Sequence, residues 1–139
     1  MNIQKKWLTL STIILLLTNI SCSKDAGEGG TSSIQGKVYA RYYNKTFTSF
    51  LGECYAPNKY VYICYGDNVA YGDKQRTNEG GTFEFKYLRK GKYKVYTFSL
   101  DTTLTNPSGQ FAVIEDVTIS ENDATVTTKD LVIADTPQN

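Results

Sequence analysis

Beyond residue 33, apolar and polar residues alternate with a period of two, and the alternating segments are rich in Tyr, Val, Thr, Phe and Ile. Both features are typical of β-strands that bury one of their two faces. No segment there has the apolar spacing of an amphipathic helix. The pattern predicts seven strands, at residues 34–43, 59–65, 69–76, 82–88, 92–100, 111–119 and 124–133.

Turn-forming residues separate the predicted strands, for example Gly-Asp-Asn at residues 66–68 and Asn-Pro-Ser-Gly at residues 106–109. Short strands with turns at regular intervals predict an all-β fold, an antiparallel β-sandwich of seven strands. The predicted domain spans residues 34–135, and residues 136–139 follow it as a tail.

The alternation also predicts which side chains face the core of the sandwich. The predicted inward-facing residues are Ile34, Val38, Ala40, Val61, Ile63, Tyr65, Phe83, Phe85, Tyr93 and Val95. In the fifth predicted strand the apolar positions change phase after Val95, since Tyr96, Phe98 and Leu100 have the opposite parity. A β-bulge near residues 95–97 would turn both halves of that strand towards the core, so we expect one there.

The first 21 residues have the features of a signal peptide. Lys5 and Lys6 precede an apolar run at residues 7–18, which is shorter than the ~20 residues of a transmembrane helix. Residues 19–22 (Asn-Ile-Ser-Cys) resemble the lipobox of bacterial lipoproteins, with asparagine where leucine is usual. The resemblance implies cleavage before Cys22 and acylation of that cysteine, which would anchor the protein to a membrane. An ordinary secretory signal with an incidental cysteine is the alternative.

Residues 22–33 follow the predicted cleavage site and begin with a polar, Gly-rich stretch. This composition predicts a flexible, lipidated tether between the anchor and the domain. Its Ser-Lys-Asp start resembles the export signal of Bacteroidetes lipoproteins. That resemblance implies a location on the outer membrane or cell surface, with the periplasmic face as the alternative.

The composition excludes several classes of function. The 15 Lys and Arg nearly balance the 14 Asp and Glu, whereas a nucleic-acid-binding protein needs an excess of positive charge. The chain has no histidine, which removes Ser-His-Asp and Cys-His nucleophiles and histidine-ligated zinc sites. We therefore expect no enzymatic activity, no cofactor, no metal and no nucleic-acid partner.

Two neighbouring segments resemble a known family. Residues 77–85 (TNEGGTFEF) and 88–95 (LRKGKYKV) resemble the hairpin of carboxypeptidase regulatory-like domains, and residues 36–38 (GKV) resemble their opening strand. The related Cna B-type adhesin repeats share this hairpin. The resemblance covers about residues 34–100 and implies a transthyretin-like, Ig-like sandwich without catalytic residues. Residues 44–56 depart from it, because they form a longer connection than the family has.

Two groups of residues are candidates for a role outside the core. Cys54 and Cys64 either form a disulfide across the outside of the second predicted strand or pack as two free thiols. Tyr39, Tyr60 and Tyr62 have outward parity and, if their strands are neighbours, form a platform on which a sugar stacks. Ordinary cross-strand aromatic pairing is the alternative for the tyrosines.

Basic residues surround one predicted turn, at Lys86, Arg89, Lys90, Lys92 and Lys94. They either meet an acidic polysaccharide or lipid headgroups, or form a solvated turn that discourages pairing between sheet edges. Separately, residues 101–103 (Asp-Thr-Thr) resemble a signal for O-glycosylation in Bacteroidetes.

Together these features predict a non-enzymatic, lipid-anchored module of the cell envelope that acts in binding or assembly. Adhesion, glycan capture and accessory contact with an outer-membrane complex all fit this prediction. Its expected partners are the membrane, through the lipid, and a glycan or an envelope protein. The alternative function is a structural surface subunit that polymerises by β-strand addition.

Overall fold

A computed structural model describes residues 25–137 of the chain. The predicted signal peptide at residues 1–21 and the predicted lipidation site Cys22 lie outside the described residues. Residues 25–137 contain no helix of the length and apolarity that a membrane span requires.

The described residues form nine β-strands and no helix, so the predicted all-β class is confirmed. The strands are β1 (Glu28–Tyr43), β2 (Phe50–Tyr55), β3 (Tyr60–Tyr65), β4 (Asp73–Arg76), β5 (Thr82–Leu88), β6 (Gly91–Leu100), β7 (Gln110–Ile119), β8 (Thr125–Thr127) and β9 (Leu131–Asp135).

The strands form two sheets. In the first sheet the long strand β1 is central, with β2 and β5 antiparallel to it and β8 and β9 parallel to it. The second sheet has the order β4-β3-β6-β7 and is antiparallel throughout. The fold is therefore mostly antiparallel, as predicted, with two parallel pairings to β1 that the alternation pattern did not indicate.

The core lies between the inner faces of the two sheets. The predicted inward-facing residues are buried, apart from Tyr65, which is half-buried. The same cluster also contains Ala56, Leu88, Val117, Ile119, Leu131 and Ile133. Each large apolar side chain removed from water contributes about 1.5–3 kcal/mol, so this shared cluster holds the two sheets together.

The strand count differs from the prediction at two places. Strand β2 lies inside the connection predicted for residues 44–56. All six of its residues are exposed or half-buried, so its sequence lacks the alternation of apolar and polar residues that predicts a strand. The last predicted strand is divided into β8 and β9, which pair with successive parts of β1. Strand β2 is therefore defined by its pairing with β1 and not by a buried stripe, whereas β9 buries Leu131 and Ile133 in the core.

The bulge predicted near residues 95–97 is absent. The register between β6 and β7 runs without a shift from Gly91 opposite Ile119 to Leu100 opposite Gln110. The inward positions after Val95 are instead polar and buried: the Thr97 hydroxyl donates to the Tyr60 carbonyl (2.8 Å), and the Ser99 hydroxyl accepts from the Ala134 N–H (2.9 Å). Because these hydroxyls are hydrogen-bonded, they can occupy core positions, and the alternating aromatic residues face outward.

The first strand begins earlier than predicted. Strand β1 starts at Glu28, and the preceding Gly27 donates its N–H to the buried Tyr93 hydroxyl (3.0 Å). That hydroxyl in turn donates to the Arg89 carbonyl (2.6 Å). The flexible tether predicted for residues 22–33 is therefore wrong for its described part, which is bound to the sandwich.

Candidate functional site

The outer face of the second sheet carries a cluster of aromatic side chains. We call the cluster the aromatic face; it consists of Tyr60, Tyr62, Tyr71, Tyr96 and Phe98. Residues directly opposite each other in an antiparallel pair point to the same side of the sheet. Tyr62 on β3 lies opposite Tyr96 on β6, so the outward parity of one strand continues onto the next.

Tyr62 is the centre of the aromatic face. Its ring stacks on that of Tyr96, with ring centroids 5.1 Å apart and an interplanar angle of 15°. Tyr71, which follows β3 in the connection to β4, meets the Tyr62 ring edge-on at 5.2 Å. Phe98 meets it edge-on at 5.8 Å, and Tyr60 lies 6.3 Å away. These are the offset and edge-to-face geometries that aromatic rings prefer.

The aromatic face remains accessible to solvent. Tyr60 is 40% exposed, Tyr71 50% and Phe98 42%, whereas Tyr62 and Tyr96 are half-buried beneath them. Ile114 on β7 lies opposite Tyr96 and is 55% exposed, which extends the apolar surface across the sheet. The sheet thus presents adjoining apolar side chains from β3, the connection after it, β6 and β7.

Two cations border the aromatic face along β4, an edge strand. Arg76 lies opposite Tyr60 and Lys74 lies opposite Tyr62, so both point to the same side as the rings. The Arg76 guanidinium carbon is 4.5 Å from the Tyr60 ring centroid, and its Nη2 donates to the Tyr60 hydroxyl (2.7 Å). The Lys74 ammonium is 5.0 Å from the same centroid. Both distances are within the range of cation–π attraction.

The packing of the cluster changes its acid–base properties. Burial raises the pKa of Tyr96, and the neighbouring Cys64, Tyr62 and Tyr71 raise it further. Burial also raises the pKa of the Cys64 thiol, against a smaller opposing effect of Lys94. The Tyr96 phenol therefore keeps its proton near neutral pH and can donate as well as accept a hydrogen bond.

Tyr39, the third tyrosine of the predicted platform, lies elsewhere. It is on β1 in the first sheet, where its ring meets Tyr55 edge-on at 5.2 Å. The predicted platform of Tyr39, Tyr60 and Tyr62 is therefore wrong as a unit, because it assumed that the first two predicted strands pair. The structure places β3 between β4 and β6 instead.

Sequence reasoning missed Tyr71, Tyr96 and Phe98. The sequence did contain a signal for Tyr96 and Phe98, namely the phase change of the apolar positions after Val95. This change predicts a bulge, but in the structure it marks two aromatic residues that face outward. Tyr71 carried no such signal, since residues 66–72 lie outside strands and their path over β3 is a tertiary feature.

The two cysteines form no disulfide, so the disulfide alternative is wrong. Cys54 is exposed on β2 of the first sheet, and Cys64 is buried on β3 of the second sheet. The Cys64 Sγ lies 3.9 Å from the Val69 carbonyl oxygen, so the segment after β3 covers it. Cys64 packs as a small apolar side chain.

The basic residues around the turn between β5 and β6 do not form one patch. Lys86 pairs with Glu84 (3.2 Å), and Lys94 pairs with Asp116 (3.4 Å). The Arg89 side chain turns to the N-terminal segment and donates to the Asp25 carbonyl (2.9 Å). Arg89 therefore helps to fix the start of the described chain.

Asp101 has the most strongly bonded carboxylate among the described residues, and its role is local. It accepts hydrogen bonds from the N–H groups of Thr103 (2.9 Å), Thr105 (2.8 Å) and Asn106 (2.7 Å), and from the Thr103 hydroxyl (2.6 Å). These bonds, the Thr103 hydroxyl's first, hold the pKa of the carboxyl well below its usual range. Asp101 thereby shapes the connection between β6 and β7.

Comparisons with known proteins add little to this picture. A scan against models of protein families found no match, and a search of curated proteins found none. Among solved structures, the chain is similar to a Pseudomonas aeruginosa protein described as a "putative carbohydrate binding protein". The TM-score is 0.45 and the sequence identity 12%, over 79% of this chain and 92% of that one. A similarity of this size carries no argument about function.

Proposed function

We propose that this chain is a non-enzymatic, lipid-anchored carbohydrate-binding module of the cell envelope, and that the aromatic face contacts the glycan. The observation that carries the proposal is the set of five adjoining aromatic side chains, three of them at least 40% exposed, on one side of a sheet. The C–H groups on one side of a pyranose ring form an apolar surface that packs against aromatic rings. Tyrosine hydroxyls beside those rings bond sugar hydroxyls.

The lipid anchor rests on the sequence around Cys22 and on the start of the described chain. Two residues separate Cys22 from Asp25, whose carbonyl is bonded by Arg89. An extended residue spans at most ~3.6 Å, so acylation at Cys22 holds the adjacent end of the sandwich close to the membrane. The similarity of residues 77–95 to carboxypeptidase regulatory-like domains fits an accessory module of this kind.

The absence of catalysis is part of the same proposal. The chain has no histidine, and no group of three Cys, Asp or Glu among residues 25–137 is arranged to hold a metal ion. The strongest carboxyl perturbation, at Asp101, is explained by hydrogen bonds within one loop. These observations support a binding role for the module.

A glycan array followed by calorimetry tests the glycan-binding proposal. We expect Tyr62→Ala to weaken binding to the array's best ligand about tenfold or more, because it removes the central ring. Tyr96→Ala should have a similar effect. Tyr39→Ala, on the other sheet, is the matched control and should leave affinity unchanged. Binding to no glycan by protein with an intact β-sheet circular dichroism spectrum contradicts the proposal.

The anchor is tested separately by metabolic labelling with a fatty-acid analogue. We expect the wild-type chain to incorporate the label and to fractionate with membranes. Cys22→Ser should abolish both, because it removes the acylated sulfur while leaving residues 1–21 intact. An unlabelled wild-type chain contradicts the anchor without affecting the glycan result.

A second function, assembly by β-strand addition, is favoured by strand β7. This ten-residue edge strand pairs only with β6 among the described strands, and Phe111 and Ile114 on it are exposed. Such an edge can accept a further strand. If it does, size-exclusion chromatography of the unlipidated Cys22→Ser protein should show oligomers that grow with concentration. Ala112→Pro should disrupt them, because the register with β6 turns the Ala112 N–H towards the free edge of β7. A monomer at all concentrations contradicts this function.

A further inference from the structure

The charge of the domain is unevenly distributed, and the aromatic face lies beside an excess of positive charge. Residues 25–137 contain twelve Lys and Arg against fourteen Asp and Glu, a net charge of −2. On the outer side of the second sheet, strand register places four cations, Lys74, Arg76, Lys92 and Lys94, with a single carboxylate, Asp116. The surface that carries the rings thus has the opposite sign from the domain as a whole.

The two pairs of cations on this side differ in their surroundings. Lys92 and Lys94 line a groove together with Asp67 and Asp116, and Lys94 is paired with Asp116 (3.4 Å). Those two carboxylates offset their charge. The uncompensated positive charge is therefore at the other pair, on β4.

Lys74 and Arg76 have no carboxylate partner within residues 25–137. The nearest acidic residue in sequence, Asp73, belongs to the opposite side of β4: it lies opposite the buried Ile63 and shares a groove with Glu28 and Glu84. Both cations are exposed and lie over the Tyr60 ring. The Tyr60 ring fixes the position of both cations and leaves their charge open to a ligand.

Arg76 also retains most of its hydrogen-bonding capacity. A guanidinium has five N–H donors in a planar fork, and Arg76 uses one nitrogen for the Tyr60 hydroxyl (2.7 Å). The remaining donors match the two oxygens of a carboxylate. In a uronic acid, the carboxylate is attached to the pyranose ring and so lies beside the apolar side of that ring. Arg76 lies beside the Tyr60 ring in the same way, so a sugar on the aromatic face could bring its carboxylate to Arg76.

From this arrangement we infer that the aromatic face takes acidic polysaccharides whose sugars bear carboxylates, that is, uronic-acid chains. The sugar rings stack on Tyr62 and Phe98 while a carboxylate binds Arg76 over the Tyr60 ring, with Lys74 beside it. This inference rests on the proposed glycan-binding function and names the ligand class of the same site.

The test measures affinity for three uronic-acid polymers, polygalacturonate, alginate and hyaluronan, beside two comparison polymers. Methyl-esterified polygalacturonate keeps the backbone but loses the charge, and dextran sulfate keeps charge without carboxylates. We expect at least one uronic-acid polymer to bind, its methyl ester or neutral analogue to bind about tenfold more weakly, and affinity to fall as salt is raised.

Variants of the β4 cations supply the second readout. Arg76→Gln should weaken uronic-acid binding about tenfold, and Arg76→Lys should weaken it less, because it keeps the charge but loses the fork. Lys74→Gln should weaken binding about threefold. Lys45→Gln removes an exposed cation from the connection between β1 and β2, on the other sheet, and should change nothing.

The outcomes separate this inference from the proposed function. Neutral glycans that bind and are lost in Tyr62→Ala, with no binding of uronic-acid polymers, overturn the inference and leave the proposed function standing. Equal losses in Arg76→Gln and Lys45→Gln, or binding of dextran sulfate alone, show general ion exchange and also overturn it. If no polymer and no arrayed glycan binds, both the inference and the proposed glycan-binding function are overturned.

Discussion

The outer faces of the two sheets both carry tyrosines, but only the second sheet gathers them into one surface. On the first sheet, Tyr39 and Tyr55 form a pair, and the Tyr55 hydroxyl donates to Asp130 (3.1 Å). On the second sheet, the Tyr62 ring contacts four other aromatic rings. On the first sheet a single cation, Lys37, lies 4.4 Å from the Tyr55 ring centroid, whereas on the second sheet two cations border a cluster of five rings.

The reason for the difference is the identity of the cross-strand neighbours. Tyr39 on β1 lies opposite Tyr55 on one side and Val132 on the other, so its aromatic row ends after two residues. Tyr62 lies opposite Tyr96 on one side and Lys74 on the other, and the next outward residue of β6 is Phe98. Outward aromatic residues form a continuous surface only where the register of neighbouring strands places them directly opposite one another.

The largest expected effect separates inward from outward aromatic residues. Phe85→Ala should lower the free energy of unfolding by about 3–5 kcal/mol, because it empties a position in the core that is 1% exposed. Phe98→Ala, on the aromatic face, should lower it by less than about 1 kcal/mol. Denaturant titration measures both. Equal losses would show that the second sheet's outer face is packed like a core and is not a free surface.

A smaller effect is expected at the inward hydroxyl that sets the phase of β6. Thr97→Val should lower the free energy of unfolding by about 1 kcal/mol, since the Tyr60 carbonyl loses the donor that now lies 2.8 Å away. Thr118→Val, at an exposed position of β7, is the matched control and should be nearly neutral. If Thr97→Val is neutral or stabilising in denaturant titration, the inward hydroxyl does not hold the aromatic residues outward.

The aromatic face should also respond to alkaline pH. The pKa of Tyr96 is raised in the folded state, so its contribution to stability is complete below the unfolded pKa of about 10 and is lost as pH rises through the folded value. Tyr96→Phe removes this ionisation and should make the fall in unfolding free energy above pH ~10 shallower. Denaturant titrations at several alkaline pH values measure the slope, and an unchanged slope contradicts the prediction.

The smallest expected effect concerns the tyrosine pair of the first sheet. The hydrogen bond to Asp130, followed by the charge of that carboxylate, raises the pKa of Tyr55. Asp130→Asn should bring this pKa back towards the usual value near 10 and leave that of Tyr96 unchanged, because burial dominates there. Ultraviolet difference titration of the variant, with Tyr55→Phe to assign the signal, measures the shift. A shift of Tyr96 instead would mean that the two faces are electrostatically coupled.

Much of the fold could be predicted from the alternation of residues, and the failures have specific physical causes. Nine of the ten predicted inward positions lie in the core, because burial of one face of a strand requires period-two patterning; Ala56 and Leu88 are core residues that the pattern did not indicate. The bulge prediction failed because it assumed that every inward position is apolar, whereas Thr97 and Ser99 enter the core with their hydroxyls bonded. The tether prediction failed because glycine content does not show that the Tyr93 hydroxyl binds Gly27.

The candidate site was predictable only in part. The outward parity of Tyr60 and Tyr62 was readable, since parity is a local property of one strand. Their true partners were not, because strand order is decided by which strands pair across long distances in sequence. The Cys54–Cys64 disulfide and the grouping with Tyr39 failed for the same reason, as both required strands of different sheets to be neighbours.

By itself, the amino-acid sequence determined that this chain is all-β, which residues form part of its core, and that Tyr60 and Tyr62 point away from that core. The tertiary structure alone decided that β3 and β6 are neighbours, that Tyr71 closes over Tyr62, and that Lys74 and Arg76 border the rings. The physical reason is that burial acts on each residue according to its own side chain, whereas a binding surface depends on contacts between strands that only folding brings together.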